Sequence, residues 1–137
     1  MRLSLRTEYA LRVLAQLGKI YGQDKLAQID FLSRTESVPS NYLVQILNEL
    51  RNSGLVGSRR GKQGGYFLTQ SPDLVTVYDI IRATDSDILD NSMKPDGEHG
   101  RHISVVWNGL VQQIHGKLKS VTLRDVMKPE DDKMYYI

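Results

Sequence analysis

The sequence predicts a mainly α chain with one small β-hairpin and a long C-terminal helix. Three observations carry that reading. Apolar residues recur at helical spacing through the first fifty positions, and the same spacing resumes from about His102 to Leu118. Between those stretches the periodicity turns strand-like, where two short apolar runs flank RRGKQGG. The length, 137 residues, suits one domain with one core.

The first helix reads from Leu5 to about Gly22, with Leu5, Tyr9, Val13, Leu14, Leu17, Ile20 and Tyr21 on its apolar side and Gly22 placed to end it. A shorter helix fits about Gln28 to Thr35, with Ile29 and Leu32 inward. Ser37 and Val38 make a turn. Pro39 suits the first turn of a third helix, because its missing N–H costs nothing there. Tyr42, Leu43, Ile46, Leu47 and Leu50 form that helix's buried stripe, and Gly54 stops it. Leu55 to Ser58 and Tyr66 to Thr69 are the hairpin strands. Thr76, with Asp79 three residues on, opens a short helix through about Ala83. Residues 84–100 are polar and rich in turn formers, a loop. The long helix follows, with Ile103, Val106, Trp107, Leu110, Ile114 and Leu118 on one stripe, more than so small a domain would readily bury within itself. Thr122 and Asp125 cap one further turn. Lys128 to Lys133 is polar, and Met134, Tyr135, Tyr136 and Ile137 close the chain as an apolar cluster.

Composition removes several classes of function. Without cysteine there is no disulfide, no thiolate nucleophile and no cysteine-ligated cluster. Arg2, Arg6, Glu8 and Arg12 interrupt the N-terminal apolar residues, and no apolar run reaches membrane-spanning length, so a cytoplasmic protein that engages no membrane is expected. GKQGG runs into a strand and not a helix, which excludes a phosphate-binding nucleotide loop. His115 has no obvious Ser or Asp partner. No enzyme, cofactor or resident metal is expected.

Charge is divided unevenly. Residues 1–70 carry ten Lys and Arg against five Asp and Glu, whereas residues 71–137 carry eight against eleven. A basic first half suits a polyanion partner. Two helices joined by a tight turn and followed by a basic hairpin make a winged helix-turn-helix, in which the third helix enters the DNA major groove by its N-terminal end. Ser40, Asn41, Val44 and Gln45 are exposed there; Asn and Gln can pair with adenine edges, and Val can meet a thymine methyl. Arg59, Arg60 and Lys62 offer charge to phosphates or to a narrow minor groove. Arg6, Tyr42 and Gln63 complete the expected DNA-contacting set. The plainer alternative is a solvated basic hairpin on a winged-helix interaction module that binds no DNA.

The stretches YALRVLAQL, VPSNYLVQILNELRNSGLVGSRRGKQGGYFLT and LVTVYDIIRA resemble the Rrf2 family of bacterial winged-helix regulators, from Met1 to about Ala83 and again from Trp107 to Val126. The run from Ser58 to Tyr66, S-x-R-G-x-x-G-G-Y, is its most specific part. The resemblance implies a transcription regulator acting as a homodimer on an inverted repeat of double-stranded DNA. It divides the chain into a DNA-binding domain (1–83), a loop in the family's sensor position (84–101), a dimerisation helix with its cap (102–127) and a tail (128–137). Arg60 matches the wing arginine that reaches the minor groove. Val44 departs from the Glu that many members carry.

Members holding an iron–sulfur cluster place three cysteines in the sensor loop; this chain has none, and Arg101 stands where the last would be. His99 and His102 are close enough to share a metal, with Asp90, Asp96 and Glu98 as further donors. That would make a metal- or small-molecule-responsive regulator of the same fold, beside the simpler account of a solvated loop. The missing cysteines and the terminal Tyr135-Tyr136-Ile137 are similar to the family's cysteine-metabolism repressors. This implies repression of cysteine or sulfur genes and a tail that docks into cysteine synthase; packing on its own dimer is the alternative.

Overall fold

The computed structural model describes residues 2–129. In chain order the elements are α1 (Leu5–Lys19), α2 (Ile29–Glu36), α3 (Ser40–Asn52), β1 (Val56–Arg59), β2 (Gly65–Leu68), α4 (Val77–Thr84), a 3-10 turn (Ser86–Leu89), α5 (Gly100–Ser120) and α6 (Leu123–Val126). The winged helix-turn-helix and the long C-terminal helix are both present.

Helix starts follow local chemistry. Ser4 caps α1 by accepting the Thr7 N–H, and Thr76 and Thr122 form reciprocal capping boxes with Asp79 and Asp125. The end of α3 is as well defined. Gly54 takes φ +85°, its N–H bonds to the Arg51 carbonyl, and the Leu55 N–H reaches back to Leu50, each at 3.0 Å. This satisfies carbonyls that the helix itself leaves open, and it turns the chain into β1.

Ala10, Val13, Leu14 and Leu17 of α1 meet Leu43, Ile46, Leu47 and Leu50 of α3, with Leu32, Val75 and Ile80 closing the core. Leu123 joins the same cluster although it lies beyond α5. Its N–H donates to the Val75 carbonyl at 2.7 Å, and Arg124 holds Asp73 through two bonds of 3.1 and 3.3 Å. The Arg124 guanidinium beside Asp73 keeps that carboxyl below its ordinary pKa. The chain thus leaves the core cluster along α5 and returns to it through α6.

Several expectations need correction. Tyr42 does not belong to the buried stripe of α3; it is 44% exposed. Leu5 and Tyr21 are also exposed, and α1 ends at Lys19, before Ile20 and Tyr21. The strands run from Val56 and from Gly65, one residue from their expected ends at each strand, because pairing extends to Arg59 opposite Gly65. Pro39 precedes α3 as its cap residue. Residues 84–100 contain the 3-10 turn, and α5 begins at Gly100.

The stripe of α5 divides in two. Ile103, Val106, Trp107 and Leu110 are 42–53% exposed, whereas Val111, absent from the expected stripe, is buried. Ile114 and Leu118 are half-buried. An apolar cleft of about 380 Å³ lies between Val77 and Ile81 of α4, Leu89 of the 3-10 turn, and Trp107, Ile114 and Leu118 of α5. His115 Nε2 lies 3.1 Å from the Leu89 carbonyl and its ring meets Tyr78 edge-on at 5.4 Å, so it fastens the 3-10 turn to α5.

Candidate nucleic-acid interface

The turn between α2 and α3 is held by one side chain. Ser37 adopts φ +55°, which lets the Val38 N–H bond to the Ser33 carbonyl at 3.1 Å. The Ser33 hydroxyl donates to the Val38 carbonyl at 2.6 Å and accepts from the Ser40 hydroxyl at 3.2 Å. The first turn of α3 is therefore anchored before any ligand arrives.

Leu43, Ile46, Leu47 and Leu50 lock one side of α3 into the core with no exposure at all. The 3.6-residue period then turns Asn41, Val44, Gln45 and Asn48 outward together. Val44 is 42% exposed, an apolar side chain kept outside a core that had room for its neighbours. Tyr42 flanks this face with its ring edge-on to Tyr9 at 6.0 Å, and the Arg12 guanidinium lies 5.5 Å from the Tyr9 ring centre. Arg6 is placed differently from the rest of the expected set: it pairs with Glu49 of α3 at 3.0 Å.

The wing's shape follows from its glycines. A Cβ on Gly64 would lie 2.2 Å from the Arg59 carbonyl oxygen, and one on Gly65 would lie 2.7 Å from the Ala27 carbonyl oxygen. The second of these approaches accompanies a backbone contact. Ala27 and Tyr66 exchange two backbone bonds of 3.0 and 2.8 Å, an isolated bridge beside the two-stranded sheet. Arg59, Arg60, Lys62 and Gln63 all project from the tip into solvent. Two further residues, which periodicity and composition did not single out, touch the wing. The Gln28 amide donates to the Lys62 carbonyl at 3.2 Å, and Arg51 donates to Ser58 Oγ and to Asn48 Oδ1, each at 3.1 Å. The Asn48–Arg51 pair has the i, i+3 spacing of helix neighbours and could have been found; the bonds to the wing are tertiary. Between wing and helices lies an open cleft of about 450 Å³ lined by Gln28, Asp30, Arg51, Arg59 and Arg60.

The other expected sites lie apart from this surface. Asp90 accepts the Ser92 N–H at 2.9 Å and the Ser92 hydroxyl at 3.1 Å, and the backbone bond holds its carboxyl below the ordinary range. Asp96, Glu98, His99 and His102 are exposed. Among the described residues no three metal-binding side chains gather at one point. Tyr135, Tyr136 and Ile137 lie outside the described residues. No described helix is long and apolar enough to cross a membrane.

Comparison with known proteins agrees with this geometry. The family profile Rrf2, described as an iron-dependent transcriptional regulator, matches residues 3–129. The chain is 31% identical to the HTH-type transcriptional regulator CymR of Bacillus subtilis (strain 168), over the full length of both. It is similar to the solved structure of CymR, the global cysteine regulator of B. subtilis, with a TM-score of 0.77 and 31% identity over 92% of this chain and 95% of that one. It is also similar to T. potens IscR, with a TM-score of 0.74 and 29% identity over 99% and 97% of the two chains. These relatives are regulators and not enzymes. The iron of the family description finds no matching donors here: the sequence holds no cysteine to supply cluster thiolates, and the described histidines and acids do not assemble in its place.

Proposed function

The chain belongs to the Rrf2 family of DNA-binding transcriptional regulators, and from that premise we propose that it acts as a cytoplasmic homodimeric repressor on an inverted repeat. In this reading α3 lies in the major groove with Asn41, Val44 and Gln45 at base edges. The wing brings Arg60 to the adjacent minor groove and Arg59 and Lys62 to phosphates. One observation carries it: the outward face of α3 and the basic wing tip belong to a single framework, joined through α2 and by Arg51 to Ser58. Ser40, Tyr42 and Gln63 flank these contacts. Arg6, paired with Glu49, serves the interface by steadying α3 and by its charge.

A DNA mobility shift on an operator selected from random sequence tests this. Gln45→Ala should cost about 1–3 kcal/mol at one base pair and relax specificity there. Lys62→Ala should lower the salt slope by about one unit, alike across sequences. Unaltered affinity in both Gln45→Ala and Arg60→Ala would refute the docking.

For the homodimer, the support is the exposed row Ile103, Val106, Trp107 and Leu110, which the apolar cleft continues toward Ile114 and Leu118. For regulation, we propose cysteine or sulfur genes, since a relative matched over its full length is a cysteine regulator. Tyr135, Tyr136 and Ile137 would dock into cysteine synthase, their apolar side chains filling the mouth of its pocket. Deleting Ile137 should abolish binding to the synthase and leave the melting temperature unchanged. A lowered melting temperature, with no synthase complex before or after deletion, would end the proposal.

A further inference from the structure

We infer that Gln28 and Arg51 are positioning residues that hold the wing at a set angle to α2 and α3, so that Arg60 meets DNA in register with the recognition helix. This rests on DNA being bound through α3 and the wing, as proposed above. A two-stranded hairpin is at best marginally stable alone in water, so its strands do not by themselves decide where the tip lies. The bridge between Ala27 and Tyr66 fastens β2 at its tip-side end but leaves the tip loop of residues 60–64 unheld. Beyond that bridge, the tip loop itself is reached by the Gln28 amide, which donates to the Lys62 carbonyl at 3.2 Å. Gln28 is the cap residue of α2, so this one bond ties the first helix of the helix-turn-helix to the wing tip.

The second link is on the other strand. Arg51 donates from Nη1 to Ser58 Oγ on β1 and from Nη2 to Asn48 Oδ1 on the outward face of α3. One planar guanidinium thereby couples the recognition helix to the wing, a task its forked donors suit. Gln28 and Arg51 are both exposed, so neither is needed to fill the core. Both line the cleft that Arg59 and Arg60 also line, so the two links border one groove.

Gln28→Met keeps the length of the side chain and removes its donor; Ser58→Ala removes the acceptor of Arg51 without altering charge. Each is measured by operator titration, alone and combined with Arg60→Ala or Gln45→Ala, with thermal melts of every variant. Each alone should weaken operator binding about three- to tenfold, the range expected for one net hydrogen bond. The melting temperature should stay at the parental value. Because they act through the wing, their losses should shrink in the Arg60→Ala background, where only Arg59 and Lys62 remain to be positioned, and multiply in full with Gln45→Ala. Parental affinity in Gln28→Met or Ser58→Ala, or a loss that multiplies in full with Arg60→Ala, overturns the positioning role. If Arg60→Ala itself binds like the parent, the wing's contact with DNA fails first and the positioning role falls with it.

Discussion

A buried chain of hydroxyls joins the start of α1 to the end of α4. The Thr7 and Thr84 hydroxyl oxygens are 2.8 Å apart, and Thr84 donates to the Ile80 carbonyl at 2.8 Å. Since a hydroxyl carries one proton, Thr84 must accept from Thr7, and Ser4, 3.0 Å from Thr7, must donate to it. The proton order Ser4, Thr7, Thr84, Ile80 follows from that accounting. Thr7→Val and Thr84→Val should each cost about 1–2 kcal/mol, because each leaves the other hydroxyl short of a buried partner. The double variant should cost clearly less than the sum, since it removes both orphaned groups. Urea unfolding of all four proteins measures this, and strict additivity would refute the linkage. Nothing in the sequence near Thr7 or Thr84 announces the pair, which is separated by 77 positions. Tyr42 is a similar case. Spacing alone places it beside Leu43 and Ile46, and its contact with Tyr9 becomes visible only in three dimensions.

Elements were legible wherever a local rule decides them. The capping residues Thr76 and Thr122, the stop at Gly54 and the alternation of buried and outward residues along α3 are all local. The 3-10 turn was not legible, because Ile88 and Leu89 are two apolar residues in a polar run and their order depends on α5. The wing shows how far a local motif reaches: GKQGG signals a hairpin tip, while the reason for Gly64 and Gly65 lies in what a Cβ would strike and that for Gly61 in its φ of +114°. Gly64→Ala would put a Cβ 2.2 Å from the Arg59 carbonyl oxygen, so the tip backbone must move. That strain should cost about 1–3 kcal/mol of stability. It should also lower operator affinity at least tenfold, with helical circular dichroism unchanged. The same substitution at Gly116, in the open on α5 with nothing within 4 Å, should stabilise by about 0.5–1 kcal/mol through helix propensity. Thermal melts compare the two, and effects of like sign would show that contact at Gly64 is not what matters.

At the scale of the whole molecule, the proposed homodimer rests on α5. That helix is 21 residues long, about 30 Å at 1.5 Å per residue, and only Val111 among its side chains is buried. Its apolar stripe was readable from spacing, but the division into a part that faces α4 and a part that faces solvent was not. Ile103, Val106, Trp107 and Leu110 lie within one arc of the helix, since steps of three, four and seven residues return to the same side. Val105 is 63% exposed and lies two positions from Ile103, on the opposite side. This contrast tests the dimer more sharply than either residue alone. In a two-fold dimer each substitution enters the interface twice. Leu110→Asp should therefore destabilise association by about 3 kcal/mol or more, over a hundredfold in dissociation constant, because a carboxylate is expensive to bury unpaired. Val105→Asp, an identical change of chemistry on the far side, should leave the dimer intact. Sedimentation equilibrium gives both constants, and operator titration should follow them, since two recognition helices about 34 Å apart are needed to span an inverted repeat. Equal behaviour of the two variants would show that this face of α5 is not the interface.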